Sequence, residues 1–506
     1  MRIALTTFFV ACTGFCTAQI GGVDPLFGDT GIVISDIPGF MTFVERMALQ
    51  ADQKVVVLAQ SGTAGSSAPR VYRFDEFGAP DPTFGTDGAA WVASDPSTYP
   101  DAHDIEVQQD GKLLVMFDIA VSSTEALSLA RLNANGDMDT TYGAGGVSVT
   151  TLPGAHLRPL GLALQPDDKA VVCGWTNQSQ IFLARFLTDG TLDTTFGAGG
   201  IAFRTVNGYA LLHEVIVQPD GKILACGGGS VDNNTRVVLW RVDASGVPDP
   251  TFTTDGFVIT HVGPTDAAHD VAWMPDGRIV VCGTAWGNVD QTLVARYNSN
   301  GSLDTSFNGD GLFEFTNGGP THIARGLVVL PDSTIFCVGA RSLTTPFAFK
   351  LSHDGTLDTS FAPALGSLGF PDLSWNGNGL HDVVLRPNGK ITACGRHQNM
   401  LMGPDVLLIG FDLNLPTGMM DQEHPALRLF PVPATDEICL DLGAYSSEVV
   451  EVTITSADGK VMSRSNGSGD RGLTTRCLDV RTLAAGAYVV CARTARGSAR
   501  SAFIKN

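Results

Sequence analysis

Gly190-Thr-Leu-Asp-Thr-Thr-Phe-Gly-Ala-Gly-Gly200 is one of seven versions of the same phrase in this 506-residue chain. The others centre on Asp24/Phe27, Asp81/Phe84, Asp139/Tyr142, Asp249/Phe252, Asp304/Phe307 and Asp358/Phe361. Subtracting consecutive aromatic positions gives intervals of 57, 58, 54, 56, 55 and 54 residues. A fixed period of this length marks a repeat architecture. The Asp and the Thr after it suit a turn in which side-chain oxygens bond nearby backbone N–H groups. The aromatic is expected to pack between neighbouring units. A ring of catalytic carboxylates is the competing reading, but a catalytic group is needed once and not in every repeat.

The other half of each period is an apolar run, a turn centred on Asp-Gly-Lys, and a second apolar run. Ile105-Glu-Val-Gln-Gln-Asp-Gly-Lys-Leu-Leu-Val-Met116 and Val215-Ile-Val-Gln-Pro-Asp-Gly-Lys-Ile-Leu-Ala225 are examples. Asp-Gly between strand-like runs predicts a hairpin whose two central residues both tolerate positive φ. The turn recurs at Asp276-Gly277 and Asn388-Gly389, with weaker forms at Asp52-Gln53, Asp167-Asp168 and Asp332-Ser333. A third strand such as Leu127–Leu132 and a fourth such as Val147–Thr150 complete four short antiparallel strands per period. The runs are apolar on nearly every residue, as when both faces of a sheet are covered. Four strands repeated seven times predict an all-β fold, a seven-bladed β-propeller. The phase of the copies predicts how it closes. The repeats open with the end of a unit, Val23 to Ile34, and finish with the beginning of one, Val383 to Phe411. The strand near Ile32–Ile34 should therefore lie beside Leu407–Phe411 and complete the last blade, with an open solenoid as the alternative.

These residues resemble the delta-60 repeat family, whose units pair an Asp-Gly-Lys hairpin with Leu-Asp-x-x-Phe-Gly. The resemblance runs from Val23 to about Asn414 and implies a propeller-like fold with no established activity. Ala51-Asp-Gln-Lys54 and Asp332-Ser-Thr334 depart from the hairpin pattern, and Asp358-Thr-Ser-Phe-Ala362 lacks the glycine.

Residues 1–18 read as a signal peptide: Arg2, an apolar Ile3–Phe15, and Cys16-Thr17-Ala18 before a cleavage point at Gln19. That run is too short to span a bilayer, and the sequence shows no other transmembrane candidate. The propeller is placed at 19–415, a linker at 416–425, and a small C-terminal Ig-like β-sandwich at 426–506, from short strand-like runs separated by Gly/Ser/Asp turns. The net charge of −20 divides unevenly. From Pro425 onward ten Lys/Arg face eight Asp/Glu, leaving 22 against 44 before it. So acidic a body argues against nucleic acid as a partner. Leu429-Phe430-Pro431-Val-Pro433-Ala, Asp458-Gly459-Lys460-Val, Leu478-Asp-Val480, Leu483-Ala-Ala-Gly486-Ala-Tyr488 and Phe503-Ile-Lys505 resemble the type A C-terminal sorting domain of the type IX secretion system. The family usually has Pro-Asn-Pro where Pro431-Val-Pro433 stands. The resemblance implies the type IX secretion machinery as a partner, and secretion or display on the cell surface outside the outer membrane.

Cys173, Cys226, Cys282 and Cys394 occupy equivalent places in second strands, with Cys337 one step earlier. One per blade, they read as small buried residues too far apart to bond. Cys439, Cys477 and Cys491 leave an odd count, and the first two could bridge strands in an oxidising compartment. A different pattern stands out from the repeat: His103-Asp104, His213-Glu214, His269-Asp270 and His381-Asp382, just before the first strand of four blades. The other three carry Glu45-Arg46, Leu157-Arg158 and Ala324-Arg325 nearby. First strands line a propeller's channel, so these pairs are the candidate ligand-binding residues, expected to gather at one channel mouth. His with carboxylate is a divalent-metal or acid–base constellation; the alternative is that each pair fastens an inter-blade loop. No Gly-x-Ser-x-Gly elbow, phosphate loop or His-Glu-x-x-His motif is present, and no catalytic residue is assigned. The expectation is an exported, non-catalytic binding or adhesion platform for extracellular glycan or protein. A metal-dependent hydrolase or lyase using the His/acid ring, with a divalent metal as cofactor, is the alternative.

Overall fold

The computed structural model describes residues 22–505 apart from 25, 29–30, 36–40, 64–65, 93–99, 122–123, 207, 232–233, 287–290, 316–321, 342–344, 362–367, 370–378, 400–402, 414–427, 431–434, 442–448, 457–460, 467–474, 485 and 495–497. The expected signal peptide, the linker at 416–425, and Pro431, Pro433, Gly459 and Lys460 lie outside the described residues. Two compact units form, one over Ile20–Leu415 and one that includes Pro416–Asn506.

In the first unit the described strands make seven four-stranded antiparallel sheets, the blades of a β-propeller. Their first strands are Met41–Leu49, Asp101–Val107, Leu157–Leu164, Ala210–Val217, Thr265–Trp273, His322–Val329 and Gly379–Leu385, which number blades 1 to 7. Each first strand lies against those of both neighbouring blades, and the strand of blade 7 lies against that of blade 1, so the ring is closed. The core is a series of apolar layers between blades, each built from second and third strands covered on both faces.

The hairpins differ from the sequence expectation in one respect. Only the glycine takes positive φ, as at Gly111 (84°) and Gly221 (82°). The Gly111 N–H bonds the Gln108 carbonyl, and the Asp110 carboxylate accepts the N–H of Lys112 at 3.0 Å. This is a type I turn with glycine at its fourth position, where Asp acts as an acceptor and needs no positive φ itself. The three copies without glycine keep the conformation: Gln53, Asp168 and Ser333 sit at φ 68°, 59° and 64°. The surrounding strand pair fixes the turn there against the intrinsic cost of a side chain in that region.

The repeated Asp is the hub of a cluster. In blade 4 the Oδ1 of Asp249 accepts the backbone N–H of Thr251 at 2.9 Å and its hydroxyl at 2.8 Å, while Oδ2 accepts Arg241 Nε at 2.7 Å. Lys222 of the Asp-Gly-Lys turn reaches the same carboxylate at 3.4 Å. The guanidinium lies 4.4 Å from the centre of the Phe252 ring and donates to the Ser299 carbonyl of the next blade at 2.7 Å. The arrangement recurs with Arg73, Arg131, Arg185 and Arg296. Each aromatic ring then abuts a glycine of the following blade: Phe84 meets Gly136, Tyr142 meets Gly190, Phe196 meets Gly246 and Phe252 meets Gly301. A Cβ at Gly190 would lie 2.8 Å from the Tyr142 ring. The expected turn chemistry and inter-blade aromatic are both present, joined by an arginine that the sequence pattern had not flagged.

The second unit contains a three-stranded sheet (Arg428–Phe430, Glu437–Asp441, Thr475–Asp479) and a four-stranded one (Val461–Asn466, Val449–Ser456, Gly486–Thr494, Ser498–Lys505). They enclose Ile438, Leu440, Val452, Ile454, Val480, Leu483, Tyr488 and Val490. Phe430 ends its strand, Gly486 pairs with Lys505, and the Tyr488 hydroxyl donates to the Ala484 carbonyl at 2.9 Å. Cys439 is disulfide-bonded, and the residue opposite it across the strand pair is Cys477.

Blade 7 is completed by Ile32–Ser35, antiparallel to Gly403–Phe411 with Ile32 opposite Ile409 and Ser35 opposite Val406. Where the third strands of blades 1 to 5 carry the cluster arginine, this one has Gly410, and Phe27 packs against it. Arg386 replaces the missing guanidinium from the first hairpin, 5.3 Å from the Phe27 ring centre and donating to the Glu76 carbonyl of blade 1. Lys390 bonds Asp24 at 2.8 Å. Phe27 is buried, so Phe27→Ala should cost on the order of 3–5 kcal/mol, and a chain starting at residue 37 should lose more. Calorimetric melting checks both; a truncated chain that melts like the intact one would refute strand-mediated closure.

Candidate functional site in the central channel

Every first strand has a β-bulge at its middle. The pairing register slips at Glu45, His103, Leu160, His213, His269, Arg325 and His381, one residue per blade. A bulge inserts an extra residue and re-aims its side chain. The four His-acid pairs therefore lie inside the first strands and not before them, with histidine at the bulge and the acid next. In the remaining blades the equivalent pairs are Glu45-Arg46, Leu160-Gly161 and Arg325-Gly326. That corrects the alignment with Leu157-Arg158 and Ala324-Arg325, which pattern matching without the bulge had suggested.

The pairs do not stay together in space. His213, His269 and His381 line one cavity of about 420 Å³ with Glu45, Arg46 and Arg325. Asp104, Glu214, Asp270 and Asp382 line a second of about 400 Å³, with Glu106 and again Arg46. His103 lines neither of these cavities; its Nε2 lies 3.2 Å from Asp118 Oδ2 on its own second strand.

Three of the acids join blades. Asp104 accepts the N–H of Ile105 at 2.8 Å and that of Leu162, in blade 3, at 2.7 Å. Asp270 bonds Val271 and, in blade 6, Leu327 at 2.7 Å. Asp382 bonds Val383 and, across the closing seam, Met47 at 2.8 Å. Each first strand is the edge of its sheet and has ladder partners on one side only, and these carboxylates take up N–H groups along that edge, so the expected fastening role exists, between strand backbones and not loops. Glu214 accepts the Val215 N–H and pairs with Arg46 at 3.3 Å.

So many carboxylates in one channel alter each other's ionisation. Burial, with neighbouring acids, pushes Asp104 up to about 6, Asp270 to about 7 and Glu106 to about 8. Burial would lower Arg46, but Glu214, Asp104, Asp382 and Asp270 together raise it. The histidines move the other way. Burial, with Arg46 and Arg325, pulls His213 down to about 4, and His269 and His381 lie well below the usual imidazole value for the same kind of reason. At neutral pH all three are uncharged. The His213 and His269 rings are 5.0 Å apart, and His269 Nε2 is 3.1 Å from Thr284 Oγ1. Among the described residues no three His, Cys, Asp or Glu side chains are arranged to hold a metal ion.

Cys173, Cys226, Cys282, Cys337 and Cys394 are buried free thiols. Cys282 and Cys337, in adjacent blades, share one apolar layer, closer than one-per-blade spacing had suggested.

The segments 50–84, 108–142, 165–196, 218–252 and 275–307 match the family described as a domain of unknown function (DUF5122) beta-propeller. Each match runs from the first hairpin to the cluster aromatic. Residues 428–506 match the secretion system C-terminal sorting domain. The chain carries DUF5122 β-propeller repeats and a type IX sorting domain. A sorting domain of this kind indicates export to the cell surface or secretion. The two repeats outside the matched segments are those where Lys350 and Gly410 replace the cluster arginine. No curated protein matches the sequence. Among solved structures, a protein of unknown function from Dyadobacter fermentans is 14% identical, over 76% of this chain and 99% of that one, with a TM-score of 0.39. A PQQ-bound aldose sugar dehydrogenase from Streptomyces coelicolor is 12% identical over 75% and 98%, at 0.37. A PL25 ulvan lyase is 8% identical over 76% and 99%, at 0.42.

The channel and cluster carboxylates of the propeller give opposite pH dependence. Glu106 is raised in the fold, so its stabilising protonated form is complete below the unfolded value and lost as pH climbs through about 8. Asp139 is held low by the Thr141 hydroxyl, Lys112 and Arg131, so its contribution is present above the unfolded value and lost in acid. The propeller should melt highest between roughly pH 4 and 6. Glu106→Gln should raise the melting temperature at pH 9 by about 2 °C or more and leave it unchanged at pH 5. An equal change at both pH values would refute the assignment.

Proposed function

We propose that the protein is an exported, cell-surface or secreted propeller acting as a non-catalytic binding platform for extracellular glycan or protein. It is delivered across the inner membrane by a signal peptide over residues 1–18 and across the outer membrane by the sorting domain. The observation that carries the binding reading is the separation of each histidine from its acid. Acid–base or metal chemistry by a His-carboxylate pair needs both groups at one reacting atom. Here Asp104, Asp270 and Asp382 hold the backbone N–H groups of neighbouring blades, while His213, His269 and His381 face a different cavity. The carboxylates fasten the ring, and the histidine-lined cavity is left to receive a ligand.

Screening the secreted protein against extracellular glycans and proteins should give saturable binding with the ligand recovered intact. Ligand breakdown that disappears in both His269→Ala and His381→Ala would replace the platform with an enzyme. Deleting residues 425–506 should leave the propeller in the periplasm, as read by cell fractionation. Unchanged export would remove the sorting domain from the delivery route.

A further inference from the structure

Charge in the histidine-lined cavity is accounted for at every position but one. Glu45 is paired with Arg396 at 3.0 Å. Asp266 accepts the N–H groups of Val262 at 2.9 Å and Gly263 at 2.8 Å and lies 3.5 Å from Arg236. Arg46 is tied to Glu214 at 3.3 Å. The exception is Arg325, the bulge residue of blade 6. Its Nε is buried with no hydrogen-bond partner, and among the described residues it forms no ion pair. A guanidinium cannot shed its proton to escape this position, and a cation partly withdrawn from water without a partner is costly. Burial lowers its proton affinity, Arg396 and Arg46 add to that, and Glu45, already bonded to Arg396, opposes them only in part.

The other polar walls are the imidazoles of His213, His269 and His381. Uncharged imidazoles carry one N–H donor and one acceptor nitrogen, and although His269 Nε2 is taken up by Thr284 Oγ1 at 3.1 Å, the set suits hydroxyl groups and not a second anion. An unpaired planar fork beside neutral donor–acceptor groups matches a ligand with one carboxylate and several hydroxyls. The Arg fork meets a carboxylate through two parallel N–H···O bonds. The cavity of about 420 Å³ lies within the range of small-molecule sites.

Resting on the binding-platform reading, we propose that this cavity binds a small carboxylate-bearing ligand of sugar-acid size, with Arg325 holding the carboxylate and His213, His269 and His381 the hydroxyls.

The test is calorimetric titration of the full-length chain with glucuronate, acetate and glucose at pH 7, in wild type, Arg325→Gln and Arg325→Lys. Glucuronate should bind saturably at least tenfold more tightly than glucose. Arg325→Gln should erase that preference, and Arg325→Lys should recover it in part. Ligand-free Arg325→Gln should melt no lower than wild type, because it removes a buried charge that has no partner; a lower melting temperature would show that Arg325 is already paired. Affinity should stay flat from pH 8 to pH 6, where histidines of ordinary proton affinity would charge and tighten binding. Acetate binding as tightly as glucuronate would overturn the assignment of the hydroxyls to the histidines. Glucose binding as tightly as glucuronate in both wild type and Arg325→Gln would overturn the carboxylate proposal while leaving the platform standing. Failure of all three probes overturns it as well; only failure of the wider glycan and protein screen as well would bring down the platform.

Discussion

The fold depends on the buried pairing of the repeat aspartate with the third-strand arginine. Arg241 and Asp249 are 3% and 4% exposed, a placement in which removing one partner leaves a buried charge and costs roughly 3–5 kcal/mol. The pair is not isolated. The arginine is stacked on the aromatic of its own blade and bonded to a carbonyl of the next, so one side chain fixes both the fourth-strand turn and the spacing between blades. The glycine under each aromatic ring is the matching constraint on the neighbouring blade, because any Cβ would occupy the ring's place. Aspartate, hydroxyl, aromatic and glycine recur because they are parts of one contact that is made around the ring.

Closure tests this logic at its weakest point. The last blade is assembled from the two ends of the repeat region, and its third strand has Gly410 where the arginine belongs. Arg386 enters from the first hairpin and restores both the stacking on Phe27 and the bond to the next blade. Lys390 takes over the bond to Asp24 at 2.8 Å, so two residues here supply what one arginine supplies in blades 1 to 5. A family match built on residue positions does not extend over this unit, although its physics is unchanged.

The channel carries a second fastening system, and it accounts for the residues that looked most like a site. Each first strand is a sheet edge with outward N–H groups that lack ladder partners, and Asp104, Asp270 and Asp382 accept such groups across blade boundaries. These carboxylates are thereby committed to structure at the price of raised proton affinities, which shape the acid-side stability optimum. The histidines beside them in sequence fall into another cavity, kept neutral by burial and by the two arginines there.

The sequence by itself determined the period, the four-strand unit, the number of blades, the closing strand and the sorting domain. Each of these rests on local residue patterns: apolar runs, turn residues and a repeated phrase whose spacing survives substitution. It also flagged the His-acid pairs as departures from the repeat. What only the tertiary structure decided was where those side chains go. A bulge shifts register by one residue through a backbone hydrogen-bond defect that carries no residue-type signature, as the mixture of Glu45, His103, Leu160 and Arg325 at that position illustrates. The partnering of charges was equally hidden. Arg325 and Arg46 look alike in sequence, and whether a guanidinium is paired depends on which carboxylate the ring brings to it from another blade, 168 residues away in the case of Arg46 and Glu214.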